Sequence, residues 1–156
     1  MNHLEDIIES SVAEEKKIVV MARFVPELDD IELMLKKKKI DYSVIRGGVK
    51  NRDEQIHRFQ HDADCMVFVG NIAAAGLGIT LTAASTMVFY SLDYSMSNFE
   101  QAKARIHRVS QKKKCLYIYL VAKGTVDTKV LRALRDKINL AKSLVDDYRN
   151  GLNPFE

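Results

Sequence analysis

The stretch 71–111, NIAAAGLGITLTAASTMVFYSLDYSMSNFEQAKARIHRVSQ, lies at the centre of this chain and decides its fold. Its small residues 73–78 directly follow an apolar run, which predicts a loop at the end of a strand. Further on, Gln101, Arg105 and Arg108 are spaced by four and three residues, so a helix would place them on one face. Two guanidinium groups on one face favour the binding of phosphate.

Outward from this stretch, short apolar runs alternate with segments of helical periodicity. Strands are predicted at 17–22, 41–45, 65–69, 86–90 and 115–121. Helices are predicted at 3–15, from Pro26 to the lysine run 36–39, at 50–60, after a cap at Ser97 or Asn98, and from Thr125 or Asp127 to Gly151 and Pro154. This alternation predicts an α/β fold with a mostly parallel sheet and helices on both faces. Ligands of such sheets bind at the carboxyl ends of the strands, so the loops 46–50, 70–80 and 91–98 are the candidate sites.

The composition is that of one globular domain, with 156 residues, 47% hydrophobic and 29% charged. The net charge of +3 permits an anionic partner without demanding one. Cys65 and Cys115 each lie in an apolar run, which predicts reduced, buried thiols in an intracellular protein. No apolar run approaches the roughly 18 residues that a membrane span needs, so no membrane partner is expected.

Several patterns that would hold a metal or a nucleotide are incomplete. His57 and His61 are four residues apart, but Arg58 stands where a zinc-protease helix needs Glu, so no metal site is predicted. Leu81 stands where the dinucleotide fingerprint after Gly76-Leu77-Gly78 needs Gly or Ala. No GxxxxGK[ST] run occurs, so the chain lacks a phosphate loop and a magnesium carboxylate of its own.

The clustered positive charges each have two explanations. Arg105 and Arg108 can stabilise the charge of a phosphoryl group held by another domain, an effect of about 10³–10⁵ in rate. Alternatively, both pair with Asp93, Glu100 or another surface carboxylate. The lysine run 36–39 either complements the dipole at a helix C-terminus or contacts nucleic acid.

Five segments carry a resemblance to a known family. The run from Gln101 to Gln111 resembles the sixth motif of superfamily-two helicases, QxxxRxHRxxQ, residues 75–84 resemble the fifth, and residues 18–24 the fourth. Residues 42–59 and 124–127 are similar to the segments that follow the fourth motif and precede the last helix. Over about residues 15–142, the chain resembles the second RecA-like lobe of the Swi/Snf-type double-stranded DNA translocases.

The resemblance implies a RecA-like, three-layer α/β/α domain over residues 1–156, with a long C-terminal helix, cut from a larger enzyme. It implies that ATP and Mg²⁺ are held mainly by a first lobe that this chain lacks. Arg108 would be the arginine finger, Arg105 a second phosphate contact and Gln101 an orienting group. Gly76 and Gly78 would let the backbone approach the nucleotide. Contacts to the backbone of one DNA strand are implied for Gly47, Gly48, Lys50, Arg52, Thr80 and Thr82.

Two other functions remain open, an RNA helicase lobe and a non-catalytic module that binds nucleic acid or a partner. We expect the chain by itself to hydrolyse ATP negligibly. Thr80 replaces an Asn that the family often has, and Tyr94-Ser95-Met96 replaces its usual Trp-Asn-Pro. These departures favour a bacterial, phage or mobile-element member in the cytoplasm; a eukaryotic member would be nuclear.

Overall fold

The computed structural model describes residues 1–73, 78–93, 95–121 and 126–151, apart from the side chains of Val126, Asp127 and Tyr148. The chain divides into two compact units, Met1–Val121 and Ala122–Glu156. The elements of the first unit are α1 (Asn2–Ala13), β1 (Ile18–Ala22), α2 (Val25–Lys37), β2 (Tyr42–Ile45), α3 (Arg52–His61), β3 (Val67–Asn71), β4 (Thr86–Phe89), α4 (Met96–Lys103) and β5 (Leu116–Tyr119). The second unit contains the long helix α5 (Val126–Arg149). Among the described helices, none is long and apolar enough to cross a membrane.

The strands form one sheet in the order β2-β3-β1-β4-β5. Every pairing is parallel, and Ile18 of β1 lies opposite Val67 of β3 and Thr86 of β4. The central strand β1 is buried at each position, as its continuous apolar run predicts for a strand covered on both faces. The predicted parallel α/β sheet is therefore confirmed.

Helices α1 and α2 cover one face of the sheet. Their apolar side chains pack with those of three central strands into one cluster: Leu4, Ile8, Leu28, Ile31, Leu35, Ile18, Val20, Val67, Val69 and Val88. Leu33 of α2 lies outside this cluster and is 52% exposed. Its position falls on the opposite side of the helix from the stripe formed by Leu28, Ile31 and Leu35.

Helices α3 and α4 cover the other face, which gives the predicted three-layer architecture. Phe59 of α3 packs against Phe68 of β3, with ring centroids 5.6 Å apart. Phe99 of α4 packs against Phe89 of β4 at 4.8 Å. Phe68 and Phe89 lie next to strand residues that point into the α1–α2 cluster, such as Val67 and Val88. They point to the opposite face, because successive side chains of a strand alternate between the two faces of a sheet.

Some predicted details change. The third strand begins two residues later than expected, because Cys65 N–H bonds to Asp62 O at 3.3 Å in a turn that precedes it. Cys65 is buried as predicted, with Sγ 3.1 Å from Ser43 Oγ, and burial raises the pKa of its thiol. Cys115 is only half-buried, so its predicted burial is wrong; it precedes the edge strand β5, which has a neighbour on one side only.

The last helix follows the prediction. It begins at Val126 and ends at Arg149, shortly before Gly151, whose φ of +75° suits the end of a helix. Thr125 and Pro154, which were also considered as its limits, lie outside the described residues.

Candidate functional site

Arg105 and Arg108 lie in the turns that follow α4 and not on the helix. The helix ends at Lys103, and Arg105 N–H bonds to Ala102 O at 3.0 Å. The carbonyl of Arg105 accepts a hydrogen bond from Leu81 N at 2.9 Å, which ties this turn to the loop before β4. The prediction of one helical face for the two arginines and Gln101 is therefore wrong, because a tertiary hydrogen bond takes the place of helix continuation.

The cap of α4 also differs from the prediction. Ser95, and neither Ser97 nor Asn98, occupies the N-cap position, and its Oγ accepts from Asn98 N at 3.2 Å. Gln101 is exposed on the last turn of α4, where its Nε2 donates to Ser97 Oγ at 3.3 Å. Gln101 thus lies on the helix, while the two arginines lie beyond its end.

Arg105 is a buried cation. It is 7% exposed, and its Nε has no hydrogen-bond partner among the described residues. Burial, followed by the nearby charge of Arg108, lowers the pKa of its guanidinium. A buried donor without a partner costs free energy, so an acceptor from outside the described residues is the chemical complement of this site.

Arg108 is half-buried and faces open space. Its Nη1 donates to Thr80 Oγ1. The side chain lines a cavity of about 620 Å³ together with Ala104, His107, Val109 and Ser110. It also borders a second cavity, of about 420 Å³, whose other walls include Lys113 and Lys114. Within the described part of the chain, the guanidinium is held by the neutral hydroxyl of Thr80 and borders open space on two sides.

The alternative partners for these arginines are engaged elsewhere. Glu100 Oε1 lies 3.4 Å from Lys103 Nζ. Asp93 accepts hydrogen bonds from Ser95 N at 3.1 Å and from Asn98 Nδ2 at 3.0 Å. None of these contacts involves Arg105 or Arg108.

Gln111 joins the loop before β4 to the arginine turns, a role that the sequence pattern did not assign to it. Its Nε2 lies 2.7 Å from Ala84 O, 3.1 Å from Ile106 O and 3.2 Å from Thr82 O. Because β4 begins at Thr86, this link lies at the edge of the sheet where β4 starts.

Gln60, near the end of α3, holds the same loop from the other side. Its Nε2 donates to Thr82 Oγ1 at 3.1 Å, and its Oε1 accepts from Ala83 N at 2.7 Å. Sequence reasoning missed Gln60, since a glutamine beside the buried Phe59 has no distinctive pattern. Thr80 and Thr82 thus lie with the arginine turns and Gln60.

The other predicted nucleic-acid residues lie after the carboxyl end of β2. Val49 N bonds to Arg46 O at 3.2 Å and closes a turn in which Gly48 has a φ of +86°. The residues of this turn, Gly47, Gly48 and Lys50, are exposed. Arg52 begins α3, and its Nη2 is buried without a hydrogen-bond partner among the described residues. The structure therefore separates these residues from the Gln111 link, which lies at the opposite edge of the sheet.

Gly78 is exposed with a φ of +72°, which favours glycine at that position. Gly76 lies outside the described residues. His57 and His61 are exposed neighbours with ring centroids 4.6 Å apart. In the described part of the chain, no group of three or more His, Cys, Asp or Glu side chains is placed to hold a metal ion.

In the lysine run at the end of α2, Lys38 pairs with two carboxylates. Lys38 Nζ lies 2.6 Å from Glu9 Oε1 and 3.6 Å from Glu5 Oε2, both on α1. Lys36 and Lys37 occupy the last turn of α2, where cations complement the helix dipole. The run lies at the edge where β2 begins, away from the turn 46–50.

A family model described as "Helicase conserved C-terminal domain" matches residues 1–110 of the chain. The chain is 31% identical over 142 residues to "DNA repair and recombination protein RAD54-like" of Drosophila persimilis, a match that covers 89% of this chain and 18% of that protein. It is 32% identical over 144 residues to a mouse "SWI/SNF-related matrix-associated actin-dependent regulator of chromatin subfamily A containing DEAD/H box 1", covering 90% of this chain and 14% of that protein. The Caenorhabditis elegans homolog of that regulator is 32% identical over 139 residues, and the match covers 88% of this chain and 14% of that protein.

A solved structure shares the fold. The C-terminal part of the Fun30 ATPase domain superposes with a TM-score of 0.81 and 24% identity, and the match covers 85% of this chain and 44% of that one. The present chain thus spans 14% to 18% of the length of the relatives named above.

Proposed function

Because this chain belongs to the family of helicase conserved C-terminal domains, with Swi/Snf-type relatives, we propose that it is the second motor lobe of an ATP-dependent DNA translocase or helicase. ATP and Mg²⁺ are held mainly by a first RecA-like lobe in the same polypeptide. Two features support this division of labour. The chain contains no phosphate loop, and it matches only 14% to 18% of the length of the relatives named above.

The observation that carries the proposal is the arginine pair. Arg105 is buried, and its Nε has no hydrogen-bond partner among the described residues. Arg108 lies close to it and lines a cavity, and its guanidinium donates to the neutral hydroxyl of Thr80. Two adjacent cations lower the cost of binding a polyanion, and guanidinium groups match the geometry of phosphate oxygens. These residues therefore fit the phosphates of a nucleotide presented by a partner lobe.

The roles of the individual residues are those that the resemblance to the family implies. Arg108 serves as the arginine finger on the γ-phosphate, and Arg105 is the second phosphate contact. Gln101, exposed on α4, orients groups in the closed site. Gly76 and Gly78 allow the backbone to approach the nucleotide. Closure of the two lobes brings these groups to ATP and couples hydrolysis to movement.

The nucleic-acid contacts are backbone contacts. Gly47, Gly48 and Lys50 present two side-chain-free amides and one ammonium group at an exposed turn, next to the buried guanidinium of Arg52. Such groups bind phosphates without reading base sequence. Thr80 and Thr82, which lie with the arginine turns, contact the same strand only if it extends along the loop before β4. Duplex DNA is the proposed substrate.

The decisive test is ATP hydrolysis by the polypeptide that contains this chain and its first lobe, with duplex DNA, single-stranded DNA or RNA. We expect duplex DNA to stimulate turnover, and Arg108→Ala to reduce the stimulated kcat by about 10³-fold or more. Arg135→Ala, at an exposed arginine of α5, is the matched control and should retain the wild-type rate. The 156-residue chain by itself should show negligible turnover.

Other outcomes of this test assign other functions. Stimulation by RNA alone would identify an RNA helicase lobe. No turnover with any nucleic acid, or turnover that is unchanged in Arg108→Ala, would favour a non-catalytic module that binds nucleic acid or a partner. Turnover by the isolated chain would contradict the division of the site between two lobes.

A further inference from the structure

The loop 79–84, which precedes β4, has no regular secondary structure but is hydrogen-bonded on two sides. On one side, Leu81 N donates to Arg105 O at 2.9 Å, and Thr80 Oγ1 accepts from Arg108. On the other side, Gln60 of α3 bonds to the hydroxyl of Thr82 and to the backbone of Ala83. The loop therefore lies between α3 and the arginine turns and contacts both.

Helix α3 reaches from the proposed nucleic-acid contacts to this loop. Arg52 begins the helix beside the turn 46–50, and Gln60 is its penultimate residue. The ten residues of α3 span about 15 Å at the rise of an α-helix. A displacement at the Arg52 end is thus carried to the Gln60 end by a rigid element.

Two other polar residues of α3 bond to β2 or to the residue that precedes it, and not to the loop 79–84. Gln55 Oε1 accepts from Val44 N of β2 at 3.1 Å. Arg58 Nη2 contacts both carboxylate oxygens of Asp41, at 2.7 and 2.8 Å. Gln55 and Arg58 make these bonds on the flank of α3 that faces β2. Gln60, on the same helix, bonds instead to the loop 79–84.

We propose that Gln60 is a positioning residue that couples nucleic-acid binding at the turn 46–50 and Arg52 to the placement of Arg108. The inference rests on the function proposed above. Nucleic acid that binds the Arg52 end shifts α3, and the two hydrogen bonds of Gln60 transmit this shift to Thr82 and Ala83. Arg108, which is bonded to Thr80 of the same loop, then moves with it. Gln60 touches neither nucleic acid nor nucleotide in this account.

Three variants separate this role from a purely structural one. Gln60→Leu keeps the size of the side chain and removes both hydrogen bonds. Gln60→Glu keeps them, since a carboxylate accepts from Ala83 N and from the hydroxyl of Thr82. Gln55→Leu is the matched control, because it removes the bond of another α3 glutamine to Val44 but leaves the loop 79–84 untouched.

The experiment measures ATP turnover by the two-lobe polypeptide, with and without duplex DNA, together with its duplex affinity and its thermal midpoint. For Gln60→Leu we expect the ratio of stimulated to unstimulated kcat to fall by about fivefold to tenfold. The Kd for duplex DNA should stay within about twofold, because no contact to the nucleic acid is removed. Gln60→Glu should restore most of the ratio, and Gln55→Leu should keep it despite a lower thermal midpoint.

The outcomes distinguish failure of the coupling role of Gln60 from failure of the proposed function. If the wild type is stimulated by duplex DNA and Gln60→Leu keeps the full ratio, the coupling role is overturned and the proposed function stands. An equal loss in Gln55→Leu would assign the effect to general destabilisation and would also overturn it. A wild type without any duplex stimulation would instead overturn the proposed function, and the coupling with it.

Discussion

Arg105 shows how a single residue at this site opposes stability. Its guanidinium is nearly buried and its Nε is unpartnered among the described residues, while the charge of Arg108 lies close by. Burial of an uncompensated charge destabilises a fold, and a well-packed apolar side chain of similar size often improves it. A residue that costs stability is typical of a functional site.

At this scale we predict that Arg105→Met stabilises the protein and impairs its activity. The free energy of unfolding should rise by about 1 kcal/mol, because a buried unpaired cation is replaced by an apolar chain of similar length. Duplex-stimulated ATP turnover should fall at least tenfold, since a phosphate contact is lost. Urea unfolding and turnover measurements on the same preparation check the two effects.

The opposite pattern would contradict this assignment. If Arg105→Met lowers stability by several kcal/mol and leaves turnover intact, the guanidinium is a structural group that pairs within the protein. Arg135→Met, at an exposed site on α5, is the control and should change neither quantity appreciably.

Among the elements, α4 shows most clearly how local structure sets the site. Its cap at Ser95 and its end at Lys103 leave the two arginines in turns, where backbone groups are free to bond elsewhere. The carbonyl of Arg105 uses this freedom to bond to Leu81. A longer helix would place the same carbonyl inside the helical ladder and would release the loop before β4.

We predict that the cap, and not the neighbouring serine, stabilises α4. Ser95→Ala should lower the free energy of unfolding by about 1 kcal/mol, because the amide of Asn98 loses its acceptor. Ser97→Ala should cost less than about 0.5 kcal/mol, since it removes only the exposed contact to Gln101. Urea midpoints for both variants test the difference, and a larger loss at Ser97 would return the cap to its sequence-predicted position.

On the scale of the whole molecule, the positive charges are divided between two edges of the sheet. The turn with Lys50 follows the carboxyl end of β2, whereas Lys36 and Lys37 end α2 at the opposite edge. A duplex bound at the turn therefore leaves the lysine run outside its contact surface. Electrostatic binding to phosphates depends on the number of cations in contact with them. The salt dependence of duplex affinity can therefore show whether the turn or the lysine run binds the duplex.

We predict that Lys50→Ala weakens duplex binding and reduces the slope of log K against log salt by about 1. Lys37→Ala, an exposed lysine of the other edge, should leave the slope unchanged. Fluorescence anisotropy titrations at several salt concentrations measure both variants. If Lys37→Ala reduces the slope and Lys50→Ala does not, nucleic acid binds at the lysine run, the alternative that its composition left open.

The sequence by itself determined the elements and their order. Apolar runs such as 18–22 and periodic positions such as Leu28, Ile31 and Leu35 predict buried strands and amphipathic helices, because burial depends on local spacing. The general alternation of strands and helices then favours a parallel sheet. The run from Gln101 to Gln111 also identified the family, since its pattern is specific.

Only the tertiary structure decided how the site is assembled. The bonds from Gln60 to Thr82 and from Gln111 to Ala84 join residues 22 and 27 positions apart, and no local pattern encodes such distances. Helix α4 ends before Arg105, and the guanidinium of Arg105 is buried. Both features depend on how the loop 79–84 packs. Local spacing places side chains on an element, but contacts between elements determine where that element stops and which groups it leaves unpaired.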